Sequence, residues 1–433
     1  MIEGKNIFNE SFDRTKKENP KFVAIIVAVS IVVLLIIPAL YFWFFRQEVP
    51  RDVISTTNLF TIPESHRPER DNNTGDFIIH FNNNRQRFAY RSSTWDERWF
   101  VVLNGKEQKE YDSVGLLTFG PNNNFAYAAK QNGKWFVVLN GKEQEKGYES
   151  VNQLTFSPDG RNFAHNAKED GKWFVILNGD EEKKYDSVSL LTFASNNNLA
   201  YAAKEGDSWF VVFNGEERKK YESVNRLTFS PDGRNFAHNA KEDGKWFVVL
   251  NETEGKKYES TSILTFGSNN DFAYAAKEGD GWFAVLNGEE KEKYDSVNLL
   301  TFGPNNNFAY AAKIGNDWLV VLNGEEHERY ESVSYLAFNE NGEEFGYIAR
   351  LPRRKFVVLN GEEKERYDGL DYLSFGPDNK LSYLSRVGYS QTVIVGNKKI
   401  EEPGKVYSPV VIGEKLYYNS VRGREIWIVI ESF

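Results

Sequence analysis

The segment LTFSPDGRNFAHNAKEDGKWFVILNGDEEKKYDSV, residues 154–188, contains one complete copy of the unit from which most of the 433-residue chain is built. Three runs rich in apolar residues, at 154–156, 163–167 and 173–177, are separated by residues that favour turns. A fourth run, 181–185, is charged, and charge on an outermost strand discourages pairing with other chains. The unit therefore predicts a sheet of four short β-strands.

Two turn signals indicate how these strands connect. In the Ser-Pro-Asp-Gly turn at 157–160, proline sets φ near −65° and glycine tolerates the positive φ that follows. The Asn178-Gly179 pair is typical of a β-hairpin, because both central residues of a type I′ turn need positive φ. Neighbouring strands are therefore expected to run antiparallel.

The unit recurs along the chain. A tryptophan, an Asn-Gly pair and a Phe-Ala-Tyr triplet or its variant recur in step, roughly every 36 residues. The tryptophans, which we expect to pack between neighbouring units, are Trp99, Trp135, Trp173, Trp209, Trp246, Trp282 and Trp318. The ten copies of the triplet start at Phe88, Phe125, Phe163, Leu199, Phe236, Phe272, Phe308, Phe345, Leu381 and Leu416.

A four-stranded meander of this length, repeated, is the blade of a β-propeller. About four residues, 186–189, link one copy to the next, and extended chain covers roughly 13 Å in that distance. This spans a blade from rim to axis but leaves no room for a crossover helix. A right-handed β-solenoid is the alternative, although the Asn-Gly hairpins disfavour it. The predicted fold class is all-β, a β-propeller of about ten four-stranded repeats.

The repeats are predicted to occupy residues 76–433, in one large ring or two smaller rings. The last copy reaches Phe433 before a fourth strand has formed. Val53–Ile62 has strand character and would supply that strand to close the ring. It lies within residues 46–75, whose prolines and polar residues otherwise predict a linker or stalk.

Two stretches of identical sequence, TFSPDGR at 155–161 and 228–234, are each followed by an aromatic strand and then a Trp-Phe-Val strand. They resemble the WD-repeat-like propeller repeats of the TolB type. The resemblance covers residues 76–433 and implies a propeller fold, but it indicates little about function. Most copies depart from it with Asn-rich turns such as GPNNN at 303–307, and ten copies exceed the usual four to eight blades.

Residues 22–45 form an apolar segment without a charged side chain. As a helix it would be roughly 36 Å long, enough to cross a hydrocarbon layer of ~30 Å. A cleaved signal peptide is the alternative, but the apolar run is too long and no small-residue cleavage site follows it. We therefore predict an uncleaved transmembrane helix, through which the chain contacts the membrane.

The orientation of this helix follows from its flanking basic residues. Lys5, Arg14, Lys16, Lys17 and Lys21 precede it, whereas Arg46 and Arg51 follow it. The excess of positive charge predicts a cytoplasmic tail at 1–21. The expected localisation is a single-pass membrane protein with a cytoplasmic N-terminus and an extracytoplasmic propeller.

Composition excludes several function classes. With 53 basic and 62 acidic residues the net charge is −9, so a nucleic-acid partner is not expected. The absence of cysteine excludes disulfides, thiolate metal sites and a cysteine nucleophile. Nucleophile-elbow, phosphate-loop and zinc-protease motifs are also missing from the sequence. We predict no catalytic residue, no metal site and no cofactor.

The repeats carry two rings of charge, which form the candidate interaction face. One ring follows the repeating tyrosine of strand four, and the other lies at the end of strand two, on the same face. An acidic rim that binds a cation or basic peptide is one interpretation, and mutual pairing of the two rings is the favoured one. The acidic ring is Asp112, Glu149, Asp186, Glu222, Glu259, Asp295, Glu331 and Asp368; the basic ring is Lys130, Lys168, Lys204, Lys241, Lys277, Lys313, Arg350 and Arg386.

His165 and His238 replace a repeating tyrosine and are candidate metal ligands or bases. They lie two copies apart, so substitution within a packed strand is the favoured interpretation. The expected function is a non-catalytic platform that binds a protein, a peptide or an envelope polymer. The alternatives are a hydrolase or lyase with its active site at the central mouth, and a structural spacer.

Overall fold

The computed structural model describes residues 55–72, 74–376, 379–412 and 415–432. The predicted tail at 1–21 and the predicted membrane helix at 22–45 lie outside these ranges. The described chain forms ten sheets, each a blade of one β-propeller, which confirms the predicted fold class. Among the described residues, no helix has the length and apolar character needed to cross a membrane.

The first strand in the chain, β1 (Ser55–Thr61), belongs to blade 10. Blades 1 to 3 comprise β2 (Arg67–Pro68), β3 (Ile79–Phe81), β4 (Phe88–Ser93), β5 (Trp99–Leu103) and β6 (Lys106–Glu107); β7 (Ser113–Phe119), β8 (Phe125–Gln131), β9 (Lys134–Leu139) and β10 (Lys142–Glu143); and β11 (Ser150–Phe156), β12 (Phe163–Glu169), β13 (Lys172–Leu177) and β14 (Asp180–Glu181). Blades 4 to 6 comprise β15 (Ser187–Phe193), β16 (Leu199–Glu205), β17 (Ser208–Phe213) and β18 (Glu216–Glu217); β19 (Ser223–Phe229), β20 (Phe236–Glu242), β21 (Lys245–Leu250) and β22 (Thr253–Glu254); and β23 (Ser260–Phe266), β24 (Phe272–Glu278), β25 (Gly281–Leu286) and β26 (Glu289–Glu290).

Blades 7 and 8 comprise β27 (Ser296–Phe302), β28 (Phe308–Ile314), β29 (Asp317–Leu322) and β30 (Glu325–Glu326); and β31 (Ser332–Phe338), β32 (Phe345–Leu351), β33 (Arg354–Leu359) and β34 (Glu362–Tyr367). Blades 9 and 10 comprise β35 (Gly369–Phe375), β36 (Leu381–Val387), β37 (Ser390–Val395) and β38 (Lys398–Glu402); and β39 (Lys405–Ile412), β40 (Lys415–Arg422) and β41 (Glu425–Ser432) with β1.

The hairpins form where the sequence predicts them. Asn178 and Gly179 have φ of 53° and 99°, as a type I′ turn requires. Asp170 and Gly171, with φ of 51° and 76°, make a second such turn between β12 and β13. The four strands of blade 3 are therefore antiparallel neighbours in chain order.

Strand four is shorter than predicted. In place of a continuous strand at 181–185, only Asp180–Glu181 pair in the ladder, and Tyr185 returns as an isolated bridge to Trp173. Lys183 and Lys184 lie in the intervening loop, and both make ion pairs with carboxylates. The chain leaves the ladder at these residues, which places their ammonium groups beside carboxylates of the same blade and of the next one.

The ring closes through β1. Ser55 lies opposite Ile430 and Thr61 opposite Glu425, so β1 is the fourth strand of blade 10. The predicted linker at 46–75 therefore needs correction over its described part: β2 pairs with β4, and Ile62 is buried in the core. The closing strand was expected within Val53–Ile62. The pairing of β2 with blade 1 was not evident, because the chain there passes from the last blade to the first and lacks the repeat pattern.

The core lies between blades. Each of ten apolar clusters joins two consecutive blades, and one joins blade 10, through Val421 and Ile426, to blade 1, through Phe77 and Tyr90. This last cluster decides between the two arrangements left open by the sequence. The propeller is one closed ring of ten blades.

Candidate functional site

The two predicted rings of charge lie side by side on one face of the propeller. Each acidic-ring residue donates its backbone N–H to the backbone carbonyl of the basic-ring residue in the following blade, for example Asp186 to Lys204 at 2.9 Å. All eight acids make this bond, from Asp112 with Lys130 to Asp368 with Arg386. The remaining bonds join Glu149 to Lys168, Glu222 to Lys241, Glu259 to Lys277, Asp295 to Lys313 and Glu331 to Arg350.

Most carboxylates of the acidic ring do not make the expected pairs with the basic ring but contact other groups. Asp186 accepts a hydrogen bond from the amide of Gly206, at 2.7 Å, and forms an ion pair with Lys172, which lies in strand three. These contacts hold the pKa of Asp186 below its usual range, with the Lys172 bond contributing most and the Gly206 amide next. Among the described ion pairs, Glu331 with Arg350, at 3.4 Å, joins the two rings directly.

The same local role recurs around the face. The hairpin between strands two and three presents backbone amides in a turn, and an acid placed just before strand one reaches them. Acids bonded to such an amide are Asp112 (to Asn132), Glu149 (to Gly171), Asp186 (to Gly206), Glu222 (to Gly244), Asp295 (to Gly315) and Asp368 (to Gly388). Asp112 also pairs with Arg98, which directly precedes strand three of blade 1, and Asp368 pairs with Arg354, the first residue of strand three of blade 8. The acidic ring therefore fastens hairpins and blades together.

A second set of charges connects blades at the outer rim. The ammonium of Lys146, in blade 2, bonds Glu181 and Glu169 of blade 3, at 2.5 and 3.0 Å, and lies 5.4 Å from the ring centre of Tyr148. We call the lysine in this place, two residues before the strand-four tyrosine, the rim lysine. Equivalent contacts join Lys109 to Glu143, Lys183 to Glu217, Lys219 to Glu254 and Lys256 to Glu290.

The central channel is lined by bulges. From blade 1 to blade 10, strand one of each blade contacts strand one of the blade that follows it in the chain, so strand one is innermost. In β11 the register shifts between Asn152 and Leu154, and Gln153 takes a φ of 49°. Residues in this place have positive φ in seven blades: Gln153, Leu190, Arg226, Ile263, Leu299, Tyr335 and Tyr372. Such a conformation is strained for a β-branched residue such as Ile263.

The channel bulges expose apolar side chains. Tyr335 is 41% exposed and Leu299 is 39% exposed, and Leu116, in the equivalent place of β7, is 45% exposed. Bulges redirect side chains, and on an innermost edge there is no further strand to cover them. The sequence did not reveal this ring, because the bulge position varies from one copy to the next and carries no motif.

The opposite face is rich in asparagine amides. Asn140 donates its backbone N–H to the carbonyl of Phe125 at 2.8 Å, and its side-chain oxygen accepts the Phe125 N–H at 2.9 Å. The positive φ of the hairpin turn and this side-chain bond together explain why asparagine recurs there. Equivalent residues are Asn104, Asn178, Asn214, Asn251, Asn287, Asn323 and Asn360.

His165 and His238 lie inside packed strands, both with exposures of 2% or less. Burial lowers the pKa of each to about 4, so both are neutral at pH 7. Their ring nitrogens have no hydrogen-bond partner in the described chain. Among the described residues, no group of three or more His, Asp or Glu side chains is placed to hold a metal ion.

A cleft of 790 Å³ lies where blades 9, 10 and 1 meet. Arg386 of the basic ring and Tyr389, which is fully exposed, line it together with Asp76 and Lys405. Lys405 faces Asp76 at 3.4 Å. Of the two predicted rings, one basic member, Arg386, therefore contributes to this cleft.

No protein-family model matches the sequence, and no curated protein matches it. Among solved structures, the Dos1 propeller is 11% identical, with a TM-score of 0.39, over 86% of this chain and 95% of that chain. The dihydro-heme d1 dehydrogenase NirN is 13% identical, with a TM-score of 0.36, over 75% of this chain and 81% of that chain. The propeller domain of the trilobed protease from Pyrococcus furiosus is 11% identical, with a TM-score of 0.30, over 74% and 94%.

These similarities concern the fold alone, and they include both enzymes and other propellers. Sequence identity and TM-scores at this level carry no conclusion about activity. The class of protein defined by the described chain is a ten-bladed, four-stranded β-propeller.

Proposed function

We propose that this protein is a membrane-anchored, extracytoplasmic binding platform whose central channel holds a segment of a protein or peptide partner. The observation that carries the proposal is the set of channel bulges. Leu116, Leu299 and Tyr335 expose large apolar surfaces on the innermost strands. Exposed apolar groups on a concave surface are typical of binding sites.

The backbone at these positions supports the same proposal. Ile263 and Leu299 have φ of 45° and 56°, values that residues with a Cβ atom rarely adopt. Strain of this kind persists where the surrounding structure holds it, and it often accompanies binding sites. A partner that covers these side chains would gain about 25 cal/mol for each Å² of apolar surface removed from water.

The anchor belongs to the proposal as well. The uncharged segment at 22–45 and the excess of basic residues before it support a cytoplasmic N-terminus with the repeats outside. An enzyme with its active site at the central mouth is the alternative function. The channel bulges favour binding over that alternative because three of their five exposed side chains, Leu116, Leu299 and Tyr335, are apolar; the other two are Gln153 and Arg226.

The proposal is tested by capture from the cell envelope. Full-length protein is extracted in detergent with its partners, as wild type and as the double variant Leu299→Ala/Tyr335→Ala. We expect the double variant to lose the captured protein, while the control Tyr389→Ala, which removes an exposed tyrosine outside the channel, retains it. If Tyr389→Ala loses the captured protein and the channel variant retains it, the proposal is contradicted. That result would point to the cleft where blades 9, 10 and 1 meet.

A further inference from the structure

We call the junction between two consecutive blades a seam. The rim lysine recurs in five successive seams, so the molecule contains five internal copies of one ammonium site. In each, an ammonium lies 5.1 to 5.4 Å from the ring centre of a strand-four tyrosine and bonds a glutamate of the next blade. In the seam between blades 5 and 6, the partners of Lys256 are Tyr258, Glu290 and Glu278.

The seam between blades 6 and 7 keeps this site but lacks its lysine. Tyr294 donates a hydrogen bond to Glu326 at 3.0 Å, as Tyr258 does to Glu290 at 3.0 Å. Two residues before the tyrosine, where blade 5 has Lys256, blade 6 has Glu292. One acceptor, Glu326, is therefore present, whereas Ile314 takes the place of Glu278. The seam between blades 1 and 2 also has a single acid, Glu143, for its lysine. In the seam between blades 6 and 7 an acid replaces the cation.

No cation of the described chain balances this pair of acids. Glu292 has no ion pair or side-chain hydrogen bond among the described contacts, and the recorded contact of Glu326 is with Tyr294. The neighbouring lysines are engaged elsewhere, because Lys291 pairs with Glu289 at 2.6 Å and Lys293 bonds the carbonyl of Glu278.

The charges of both acids act on one buried tyrosine, Tyr310. Burial raises the pKa of Tyr310 to about 12; the neighbouring Tyr294 hydroxyl opposes the rise, and the charges of Glu292 and Glu326 add to it. In the preceding seam, where burial also raises the pKa of Tyr274, the charge of Glu290 adds to the rise and the charge of Lys256 opposes it. Two acids without a cation partner among the described residues thus stand in this seam, whereas the preceding seam has Lys256 between Glu290 and Glu278.

The space for a ligand is present. A cleft of 660 Å³ is lined by Glu292, Tyr294, Tyr310, Lys291 and the asparagines at 305–307. Glu326 is not one of the lining residues, but it accepts a hydrogen bond from Tyr294, which is one. In the seam between blades 4 and 5, where Lys219 is one of the lining residues, the cleft is 350 Å³. Aromatic rings beside carboxylates and amides suit an alkylammonium group, whose stem is apolar and whose end is a cation.

We propose that the seam cleft between blades 6 and 7 binds the side chain of a lysine from a partner protein, in the place that Lys256 takes in the preceding seam. The five internal copies are themselves lysine side chains packed on tyrosine, which favours a protein lysine over a free polyamine. The site lies at the rim, so this proposal goes beyond the channel binding proposed above and does not depend on it.

The test titrates full-length protein with the blocked tripeptide acetyl-Gly-Lys-Gly-amide, its norleucine analogue, and putrescine, followed by saturation-transfer NMR. The variant Glu292→Lys restores the lysine of the other seams and should fold, since five preceding copies carry lysine there. Glu325→Lys, next to Glu326 and outside the cleft lining, makes the same change of charge and is the matched control.

We expect the lysine peptide to bind at least tenfold more tightly than the norleucine peptide, and its binding to be lost in Glu292→Lys but kept in Glu325→Lys. Glu292→Lys should also raise the melting temperature, because the new ammonium meets Glu326. Equal binding of both peptides, or unchanged binding to Glu292→Lys, would overturn the proposal. Binding of putrescine without the lysine peptide would overturn the assignment to a protein partner.

Discussion

The carboxylate of Asp186 accepts a hydrogen bond of 2.7 Å from the backbone amide of Gly206. Asp186 precedes the first strand of blade 4, and Gly206 lies in the hairpin between the second and third strands of that blade. The other carboxylate oxygen bonds Lys172 of blade 3. One short side chain therefore fastens a hairpin and also joins two blades.

Replacing Asp186 with alanine should lower the melting temperature at pH 7. The pKa of Asp186 is lowered in the folded protein, by Lys172 first and by the Gly206 amide next. A lowered carboxyl pKa stabilises the fold above the ordinary pKa, and this contribution disappears as the pH falls through the lowered value. The difference between wild type and Asp186→Ala, measured by calorimetry, should therefore shrink in acid.

Glu259→Ala is the control for this prediction. Glu259 occupies the same place in the ring, and the described contacts give its carboxylate no hydrogen bond or ion pair, although its backbone N–H bonds Lys277. Its removal should leave the melting temperature close to that of wild type. Equal losses in both variants would show that the acids act through general charge and not through the turn amides.

The two buried histidines should make stability depend on pH. Burial lowers the pKa of His165 and His238 to about 4, whereas an unfolded chain has a value of 6.5. Between these values the unfolded state binds more protons, so stability falls as the pH drops from 6.5 towards 4. Each histidine could account for up to about 3 kcal/mol of this loss.

The double variant His165→Tyr/His238→Tyr should flatten that dependence. Tyrosine occupies the equivalent place in neighbouring copies, for example Tyr201 and Tyr274, so the variant is expected to fold. Denaturant unfolding at pH 6.5, 5.5 and 4.5 measures the slope. A slope unchanged from wild type would mean that other groups cause the acid sensitivity.

Trp209→Ala should destabilise the seam between blades 4 and 5. Trp209 packs on a cluster that includes Val211 of blade 4 and Phe236 of blade 5, but it is half-buried and not fully enclosed. We therefore expect a loss near the lower end of the range for buried aromatic residues, about 3 kcal/mol. Trp95→Ala, which removes a tryptophan that is 71% exposed, should cost far less in the same unfolding experiment.

Removal of β1 should open the ring. A chain that starts at residue 63 lacks both β1 and Ile62, which is 1% exposed, and leaves the edge of β41 unpaired. Exposed strand edges promote association. Compared with a chain that starts at residue 55, it should melt at a lower temperature and elute as oligomers in size-exclusion chromatography. If both chains are monodisperse monomers with equal melting temperatures, β1 does not close the ring.

Much of the fold could be predicted from the sequence because each blade repeats the same local signals. The Asn178-Gly179 hairpin and the aromatic third strand at 173–177 are set by turn geometry and β-propensity, which act over a few residues. Whether the ring is single or double depends on contacts between blade 10 and blade 1. Those contacts involve residues such as Phe77 and Val421, which lie far apart in the sequence and share no pattern.

The sites were harder to predict for a related reason. The acidic ring was found, but the carboxylate of Asp186 proved to bond Lys172 of strand three and an amide in a turn, and backbone amides leave no trace in the sequence. The bulge at Tyr335 depends on a shift of register between β31 and β32, which the alternation of side chains does not reveal. The missing rim lysine at Glu292 is visible in an alignment of the repeats, but its meaning depends on the contacts of Lys256.

Cross-linking can detect whether a partner segment occupies the channel. A photo-cross-linking amino acid at position 335 of the full-length protein, activated in intact cells, tests it most directly, with the same group at position 389 as the comparison. We predict a discrete cross-linked protein from position 335 that is absent from position 389. No adduct at position 335, while the envelope partner is still captured by the protein or cross-links at position 389, would contradict the account.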